Sequence, residues 1–385
     1  MKVALVRGQH LNRWEMQNYE PLTGRVDMLA FAAIRSRYPL DGLRMPVRRL
    51  ACPDSVFAHP PILRAAGALL LRTSLSRDRL IGLEHEIAPF DVVHSAETYL
   101  TFTVQAASAK AHNNQKLMTT CWETIPFANG GDVLTRGRKQ YVQQRTDLFV
   151  AMSRRAANAL RAEGVQERRI RIQYPGVDLT HFRPLPRAAM ADHGLWRDHD
   201  KLRVLFVGRI DASKGVRELL LAAADLAHRP HFAGMVEIGL VGDGDTALVR
   251  HMVRLLGLHD VVSHRATVPY ADMPSLYAST DVFVLPSIPS PVWEEQFGMV
   301  LAESMACGKA VVSTHSGAIP EVIGDAGVLV PPYDATALAD AIADLLVDDR
   351  RRCSLSRRAL DRAQNTFDAC GFADRLYTIY EELLA

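Results

Sequence analysis

The sequence predicts an α/β protein of at least two domains, each a doubly wound, mostly parallel sheet covered by helices. One observation is length, because 385 residues at roughly 150 residues per domain indicate two or three domains. Another is composition, since 48% hydrophobic and 23% charged residues are ordinary proportions for a globular chain. The third is a regular alternation of short apolar runs with longer helical patterns, which is typical of parallel βαβ units.

In the first half, short apolar runs predict four buried strands, at 2–6, 91–94, 117–120 and 147–152. Ser153 follows the fourth run and is a plausible N-cap of the next helix. Apolar residues at helical spacing predict helices at 26–38 and 62–83.

The second half repeats this pattern with six predicted strands, at 203–207, 236–241, 261–263, 282–285, 310–313 and 328–330. A helix capped by Asp334 is expected at 336–346, and an amphipathic helix at 372–384. The proline-containing segment 178–201 is the predicted linker. We therefore expect three parts: an N-terminal domain at 1–185, a second domain at 186–365 and a C-terminal helical segment at 366–385.

Charge divides the chain unevenly, although the net charge is only +2. Residues 1–185 carry 26 Lys and Arg against 16 Asp and Glu, whereas residues 186–385 carry 19 against 27. Such asymmetry indicates that one half meets an anionic partner. Five scattered cysteines without a C-x-x-C pair indicate reduced thiols of a cytosolic protein. We expect neither a signal peptide nor a membrane span, since no apolar run reaches about 18 residues.

A glycine and two cations follow the first strand of the second half. The strand ends at Gly208, where the missing side chain lets a ligand approach the backbone. Arg209 and Lys214 follow in the loop, and a helix is expected to begin near Gly215. A helix N-terminus beside two cations suits a diphosphate. A surface loop with two solvated charges is the alternative.

Two glutamates flank a predicted loop-to-helix junction, with Glu295 before Gly298 and Glu303 beyond it. Glu303 falls in the apolar run 299–306, where a carboxylate is costly to bury without partners. Sugar or ribose hydroxyls would be suitable partners, and the amides after Gly298 would suit phosphate or sugar oxygens. An internal ion pair is the alternative for Glu303, and Glu294 is a rival of Glu295 with a poorer spacing.

The third motif, 312–321, is a predicted strand, a turn containing Gly317, and Pro320 at the start of a helix. A purely structural role, as a turn that ends a strand and starts a helix, accounts for this pattern. A ligand contact from the turn is the alternative.

These three stretches, in this order and spacing, resemble the C-terminal domain of retaining glycosyltransferases of family 4, which have the GT-B fold. The family pattern is a Gly-Arg…Lys-Gly loop, then Glu-x7-Glu around Phe-Gly, then a glycine-containing turn before Pro-Glu. Shorter stretches also agree, at 174–178, 241–244, 277–287 and 327–332. The resemblance implies two Rossmann-like domains facing across a cleft, with the C-terminal helix crossing back to the first domain.

The resemblance also implies transfer of a hexose from a UDP- or GDP-linked donor to an acceptor hydroxyl, with retention at the anomeric carbon and without a metal or cofactor. Arg209 and Lys214 would hold the diphosphate and stabilise its growing charge, while Glu295 would bind hydroxyls of the donor sugar. The other donor contacts implied are Gly208, the backbone of Phe297, Gly298, Met299 and Val300, the ribose-binding Glu303, and the base-binding segment with Arg265 and Val268.

The acceptor half follows the family pattern less closely. Many relatives have two adjacent glycines after the first strand, whereas here Gly8 stands alone and His10 follows. Many carry a histidine after the third strand, where this chain has Trp122 and Glu123. Trp122 would stack on a sugar ring and Glu123 would bind a hydroxyl, or both are packing residues. Two further acceptor candidates follow the second predicted strand: His94 and Glu97.

Four arginines lie on or beside the apolar segment 65–71: Arg64, Arg72, Arg77 and Arg79. A solvated charged face on a helix that packs against the sheet explains this pattern in a cytoplasmic protein. Peripheral contact with anionic lipid at the inner membrane face is the alternative.

Three other functions fit parts of the sequence. Residues 242–247 imitate a dinucleotide-binding fingerprint, but the next predicted strand has no acidic residue at its end, which argues against an NADP enzyme. A nucleotide-sugar epimerase or a non-catalytic sugar-nucleotide-binding protein would share the donor site. Asp243 and Asp245 imitate a metal-binding pair, although a turn also explains them. The basic half lacks the aromatic and basic interleaving expected of a nucleic-acid-binding surface.

Overall fold

The computed structural model describes residues 1–53, 78–186, 194–198 and 200–385. The chain forms two compact units: unit 1 is Met1–Gly176 with Ala369–Ala385, and unit 2 is Val177–Asp368. The division after Gly176 comes earlier in the chain than the predicted boundary at 185. The C-terminal segment groups with unit 1 from Ala369 onward.

Unit 1 contains a seven-stranded parallel sheet with the order β3-β2-β1-β4-β5-β6-β7. Its strands are β1 (Lys2–Gly8), β2 (Asp27–Ala33), β3 (Val47–Leu50), β4 (Val92–Ala96), β5 (Lys116–Cys121), β6 (Leu148–Ala151) and β7 (Ile170–Ile172). The strand order reverses between β1 and β4. In open α/β sheets, ligands bind beside the carboxyl ends of strands at such a point.

The helices between these strands are α1 (Arg13–Met16), α2 (Leu83–Glu86), α3 (Thr101–Lys110), α4 (Val133–Arg145) and α5 (Arg154–Ala162). Side chains cap two of them, because Asp132 accepts from the Thr135 amide and Ser153 from the Ala156 amide. The predicted cap at Ser153 is confirmed.

The predicted helix at 26–38 is wrong, because Asp27–Ala33 forms strand β2. This run contains Met, Leu and three Ala, which favour helices, and its continuous apolar character does not distinguish a buried strand from a helix. Pairing decides the outcome: β2 lies between β1 and β3, with Lys2 opposite Asp27 and Val6 opposite Phe31. Most of the predicted helix at 62–83 lies outside the described residues, and its last residue, Leu83, begins α2.

Unit 2 contains a six-stranded parallel sheet with the order β10-β9-β8-β11-β12-β13. Its strands are β8 (Leu202–Val207), β9 (Val236–Val241), β10 (Val262–Arg265), β11 (Val282–Leu285), β12 (Ala310–Thr314) and β13 (Val328–Val330). All six predicted strands are confirmed, within a residue or two at their ends. The order reverses between β8 and β11, as it does between β1 and β4 in unit 1.

The helices of unit 2 are α6 (Val216–His228), α7 (Thr246–Leu255), α8 (Met273–Ala278), α9 (Met299–Ala306), α10 (Ile319–Ile323), α11 (Ala335–Val347) and α12 (Asp349–Thr366). Asp334 accepts from the Ala337 amide and caps α11, as predicted. All neighbouring strands of both sheets are parallel, as the sequence indicates, and helices join most of the successive strands.

The last helix, α13 (Ala369–Leu384), completes the core of unit 1. Phe372, Leu376 and Tyr380 are buried on its apolar face and pack in one cluster with residues of the sheet, including Leu5 and Met118. The residue spacing that predicts an amphipathic helix is thus the spacing that fills this core. Within the described residues, no helix combines the length and the apolar character needed to cross a membrane.

Candidate functional site

Two loops of unit 2 meet where the strand order reverses. After β8, the turn Ala212–Lys214 is capped by the side chain of Asp211. Gly215 follows with φ +68°, and a Cβ there would lie 1.9 Å from the carbonyl oxygen of Pro286, in the loop after β11. Only glycine allows this approach, which brings the side chain of Lys214 to the loop after β11.

Lys214 and Glu295 form the centre of a polar cluster in unit 2. Lys214 Nζ lies 2.6 Å from Glu295 Oε2, and both side chains are largely buried. Ser287 Oγ donates to the same oxygen at 2.7 Å. The ring centroid of Trp293 lies 5.0 Å from Lys214 Nζ, within the range of a cation–π interaction. An ammonium, a carboxylate, a hydroxyl and an aromatic ring therefore converge beside the carboxyl ends of β8 and β11.

Arg209 is the second cation of this loop and is much more accessible. Its side chain is 68% exposed, and Nη2 lies 3.3 Å from Asp211 Oδ2. Such an exposed ion pair is weak. The guanidinium is therefore able to turn toward an anionic ligand at small cost.

The third sequence motif holds the backbone of Glu295. The Ala318 amide donates to the Glu295 carbonyl at 2.8 Å, and the Glu295 amide donates to Ser316 Oγ at 3.4 Å. Gly317 has φ +54°, and a Cβ there would lie 2.0 Å from the same carbonyl oxygen. The turn therefore has a structural role, and that role is to position Glu295.

Glu303 is buried within α9, with 3% of its surface exposed. Tyr277 donates to Oε2 at 2.8 Å and Tyr270 to Oε1 at 3.3 Å. Burial raises the pKa of this carboxyl to about 7, although the two tyrosine hydrogen bonds lower it. Among the described residues Glu303 has tyrosine partners and no ion pair, so the alternative of an internal ion pair is wrong.

Helix α9 begins directly after Gly298, which has φ +83° and provides no side chain to cap the helix. Amide groups of the first turn, including those of Met299 and Val300, are free of a side-chain cap and suit an anion or a sugar oxygen. The ring of Phe297 is buried and packs edge-on against Phe367 at 5.5 Å. Phe297 can therefore contact a ligand only through its backbone.

The glycines that imitate a dinucleotide fingerprint pack against the loop after β8. A Cβ on Gly242 would lie 1.7 Å from the Gly208 carbonyl oxygen, and one on Gly244 2.3 Å from that of Ile210. Asp245 caps α7 by accepting from the Leu248 amide. These residues support the loop that carries Arg209, which explains the pattern without a dinucleotide.

The segment predicted to bind the base continues from β10. Arg265 is exposed and Val268 is half-buried. The Gly242 amide donates to the Arg265 carbonyl at 2.9 Å, which fixes the backbone of this segment beside the loop after β9.

In unit 1, Gly8 ends β1 with φ +56°, and a Cβ there would lie 2.8 Å from the ring of Phe102. The chain then turns, with the His10 amide donating to the Arg7 carbonyl at 3.0 Å. Burial, together with the charge of Arg37, lowers the pKa of the half-buried His10.

His94 is a core residue and does not reach the surface of unit 1. Its ring is fully buried, with Nδ1 2.6 Å from the Tyr380 hydroxyl and Nε2 2.7 Å from Thr120 Oγ1. Burial, with the positive charge of Arg7, lowers the pKa of His94 well below its usual value. The expectation of an acceptor contact from His94 is therefore corrected: its partners are internal.

Glu97 and Glu123 follow neighbouring strands, β4 and β5, and differ in their partners. Glu123 is buried, and both of its carboxylate oxygens have hydrogen-bond partners. Oε1 accepts from the Asn129 amide and side chain, and Oε2 accepts from Lys139 at 2.6 Å. Glu97 Oε1 accepts from the Trp122 amide at 2.8 Å, whereas Glu97 Oε2 is buried and has no partner in the part of the chain that the structure describes. Burial, with the nearby Glu123, raises the pKa of Glu97 to about 8.

Three of the four arginines named as candidates for lipid contact lie outside the described residues: Arg64, Arg72 and Arg77. The fourth, Arg79, forms an ion pair with Glu84 at 3.1 Å. The described residues contain no group of three or more His, Cys, Asp or Glu side chains arranged to hold a metal ion.

Two family models match the chain. The model described as Glycosyltransferase Family 4 matches residues 36–181, and the model described as Glycosyl transferases group 1 matches residues 201–348. Among curated proteins, the D-inositol 3-phosphate glycosyltransferase of Pseudarthrobacter chlorophenolicus is 34% identical over 60% of this chain and 54% of its own length. That of Thermobispora bispora is 34% identical over 56% of this chain and 51% of its own length. The chain thus spans about half the length of these relatives. It belongs to glycosyltransferase family 4.

Solved structures identify the fold of this member of family 4 as GT-B. Anabaena HepE in complex with UDP superposes with a TM-score of 0.79 at 18% identity, covering 99% of both chains. Sucrose-phosphate synthase from Thermosynechococcus elongatus superposes with a TM-score of 0.75 at 20% identity, covering 99% of this chain and 98% of the other. The expectation of two parallel α/β domains is confirmed.

The sequence does not predict several side chains of this candidate site: Ser287, Trp293, Tyr270 and Tyr277. Each contacts a predicted residue from a distant part of the sequence or from a loop of irregular length. The separation of Tyr277 from Glu303, for example, follows no helix or strand repeat, so the sequence carries no local signal for their contact.

Proposed function

We propose that the protein is a retaining glycosyltransferase that moves a hexose from a nucleotide-diphosphate sugar to an acceptor hydroxyl without a metal. The cluster of Lys214, Glu295 and Ser287, with Arg209 nearby in the same loop, is the observation that carries this proposal. UDP is the expected nucleotide, because Anabaena HepE has been solved with UDP and with UDP-glucose. GDP remains the alternative.

In this reaction the bond between the anomeric carbon and the diphosphate oxygen breaks, and negative charge grows on the leaving group. Lys214 and Arg209 stabilise that charge electrostatically. The acceptor hydroxyl attacks from the face that the diphosphate leaves, so the configuration is retained. Its proton passes to the departing phosphate oxygen.

Glu295 and Glu303 bind the two ends of the donor in this proposal. Glu295 accepts hydrogen bonds from hydroxyls of the sugar, and the amides of Met299 and Val300 supply donors beside it. Glu303 accepts from the ribose hydroxyls, with Tyr277 and Tyr270 holding its carboxyl in place. Arg265 and Val268 lie in the segment that contacts the base.

The acceptor belongs to unit 1, where Gly8 ends β1 and His10, Glu97 and Trp122 follow the ends of strands. The curated relatives are named as acting on D-inositol 3-phosphate. This makes an inositol phosphate the first acceptor to test.

The first experiment is a thermal-shift screen of UDP-, GDP- and TDP-linked sugars, with NADP as the comparison. A donor that binds the folded state raises the melting temperature through mass action, by a few degrees at saturating concentration. Stabilisation by NADP together with none by any nucleotide sugar would contradict the proposal.

The second experiment measures transfer from the stabilising donor to D-inositol 3-phosphate, myo-inositol, glucose and glucose 6-phosphate. Product NMR reports the anomeric configuration, and the assay is repeated with EDTA. Retention and full activity in EDTA are expected. Inversion would overturn the retaining assignment, and loss of activity in EDTA would overturn the metal-free one.

A further inference from the structure

Glu97 stands at the carboxyl end of β4 in a conformation that side chains seldom adopt. Its φ is +57°, in the left-handed region that favours glycine, and its amide donates to the Thr120 carbonyl at 2.8 Å. The position lies beside β1, where the strand order of unit 1 reverses. Strained residues at such places are typical of functional sites.

The carboxyl group of Glu97 is incompletely satisfied. Oε1 accepts from the Trp122 amide, which fixes the orientation of the group. Oε2 is buried and has no hydrogen-bond partner among the described residues. Both the backbone strain and the unpartnered oxygen oppose folding, and neither would be present with glycine at this position.

The charges around Glu97 select against an anion. Lys139 is already bound by two carboxylates, Glu123 at 2.6 Å and Glu163 at 2.7 Å. Three acidic side chains thus surround one ammonium. Charged and titratable groups that act on Glu97 or are acted on by it also come from neighbouring elements: Glu15, Tyr99 and Cys121. A phosphate placed at Oε2 would be repelled, whereas a neutral hydroxyl would supply the missing hydrogen bond.

We propose that Glu97 is an acceptor-binding residue of unit 1 and that its Oε2 pairs with a hydroxyl group of the acceptor, not with a phosphate. This inference rests on the proposed function. Because Oε2 is enclosed in the structure, a hydroxyl can reach it only if a neighbouring segment moves. The loop after β5 is that segment in our proposal, since its Trp122 amide already contacts Oε1. A carboxyl that holds its proton near neutral pH both donates to and accepts from a hydroxyl.

The test compares Glu97→Asn with Glu97→Gln. Asparagine tolerates the left-handed backbone but is too short to reach the same hydroxyl, so the acceptor KM should rise about tenfold or more. Glutamine keeps the reach and both hydrogen-bonding functions, so its acceptor KM should stay within a few-fold of wild type. Donor hydrolysis, in which water is the acceptor, is measured in both variants, and the change in acceptor KM of Glu97→Asn should exceed any change in hydrolysis. The acceptor used is the compound of the four-member panel that wild type glycosylates.

Tyr333→Asn is the matched control, because Tyr333 is exposed, has φ +67° and belongs to unit 2. It should leave the acceptor KM unchanged. A Glu97→Asn protein with the wild-type acceptor KM would overturn the proposal. If the wild-type protein neither hydrolyses a nucleotide sugar nor is stabilised by one, the proposed function is wrong instead.

A second measurement does not need an acceptor. The pKa of Glu97 is raised in the folded protein, so its favourable contribution is present at low pH and is lost as pH rises through about 8. Glu97→Gln lacks this titration and should melt higher than wild type at pH 9, with a smaller difference at pH 5. Equal melting at pH 9 would show that Oε2 has a partner in the free protein, and the proposal would then be wrong.

Discussion

The two units share the order of their first six strands. They differ in how completely the polar groups near the point where that order reverses are hydrogen-bonded. In unit 2, Lys214 and Ser287 both bind Glu295, and Glu303 accepts hydrogen bonds from two tyrosines. In the described residues of unit 1, one oxygen of Glu97 is buried and lacks a hydrogen-bond partner. The groups proposed to bind the sugar donor are thus already bonded within the protein, whereas the group proposed to bind the acceptor is left unsatisfied.

This difference has an energetic meaning. The groups of a prearranged cluster need not reorient when charge develops, so little free energy is spent on reorganisation. Enzymes stabilise transition states in this way. An unpartnered buried oxygen instead makes ligand binding favourable, because the ligand removes a penalty that already exists. We therefore expect changes in unit 2 to affect turnover most, and changes in unit 1 to affect acceptor affinity or stability.

The largest effect is expected from Arg209→Ala and Lys214→Ala. Each removes a positive charge from the proposed diphosphate site, so kcat should fall about 10²–10³-fold, the range seen for loss of one electrostatic donor. Steady-state kinetics with the donor identified by thermal shift would measure this. Arg250→Ala, on the surface helix α7 of the same unit, is the control and should keep wild-type kcat.

Arg209→Ala and Lys214→Ala should differ in stability, although both should lower kcat. Arg209 is 68% exposed, so its loss should leave the melting temperature almost unchanged. Loss of Lys214 leaves the buried Glu295 without its cation, and melting should fall. Wild-type kcat in both variants would contradict the view that unit 2 stabilises the leaving group.

The next effect in size is expected from Gly317→Ala. A methyl group there meets the Glu295 carbonyl at 2.0 Å and is also strained by φ +54°, so the free energy of unfolding should fall by about 2–4 kcal/mol. Displacement of Glu295 should lower kcat as well. Urea denaturation and kinetics on the same preparation test both.

Gly257→Ala is the matched control for this change. Gly257 also has a left-handed backbone, φ +67°, but a Cβ there has no neighbour within 4 Å among the described residues. Only the conformational cost applies, about 1 kcal/mol, and kcat should not change. If both alanines behave alike, the third motif does not position Glu295.

The two units also differ in how well their strands can be predicted from the sequence. Parallel strands buried on both faces are continuous apolar runs, and in unit 2 glycine or proline interrupts the chain near them, so their positions follow from sequence. Strand β2 was missed because its alanine-rich run fits a helix equally well until β1 and β3 pair with it. Local sequence contains no information on that pairing.

The site residues show a similar limit. Arg209, Lys214, Glu295 and Glu303 lie in short motifs with characteristic spacing, which made them candidates. Their contacts were not predictable, since Tyr277 reaches Glu303 from another helix. For Glu97, the sequence gives the residue at a strand end, but the unpartnered Oε2 depends on which groups the fold brings around it.

A smaller effect, of about tenfold in affinity, is expected from the pH dependence of donor binding. The pKa of Glu303 is about 7 in the free protein, and the proposed ribose hydroxyls donate to its ionised form. UDP-glucose affinity should therefore rise between pH 6 and pH 8, and binding near pH 7 should release a proton. Calorimetry in buffers of different ionisation enthalpy measures both quantities.

Glu303→Gln is the control for this titration. It should weaken UDP-glucose binding at pH 8 and remove the pH dependence. The same titration affects stability: the contribution of Glu303 is present below the unfolded pKa of about 4.5 and is lost as pH rises through about 7. A pH-independent wild-type affinity would mean that Glu303 does not bind the ribose.

The smallest effect, about 1 kcal/mol, is expected from Tyr380→Phe, which tests the satisfied part of unit 1. The change removes the partner of His94 Nδ1, so urea denaturation should show a lower free energy of unfolding, while kcat and acceptor KM stay at wild-type values. Tyr377→Phe, partly exposed on the same helix, should change stability by a few tenths at most. An altered acceptor KM in Tyr380→Phe would mean that His94 communicates with the acceptor site after all. The contrast within unit 1 would then be between two functional residues, and Glu97 would no longer be distinguished from His94 by its missing partner.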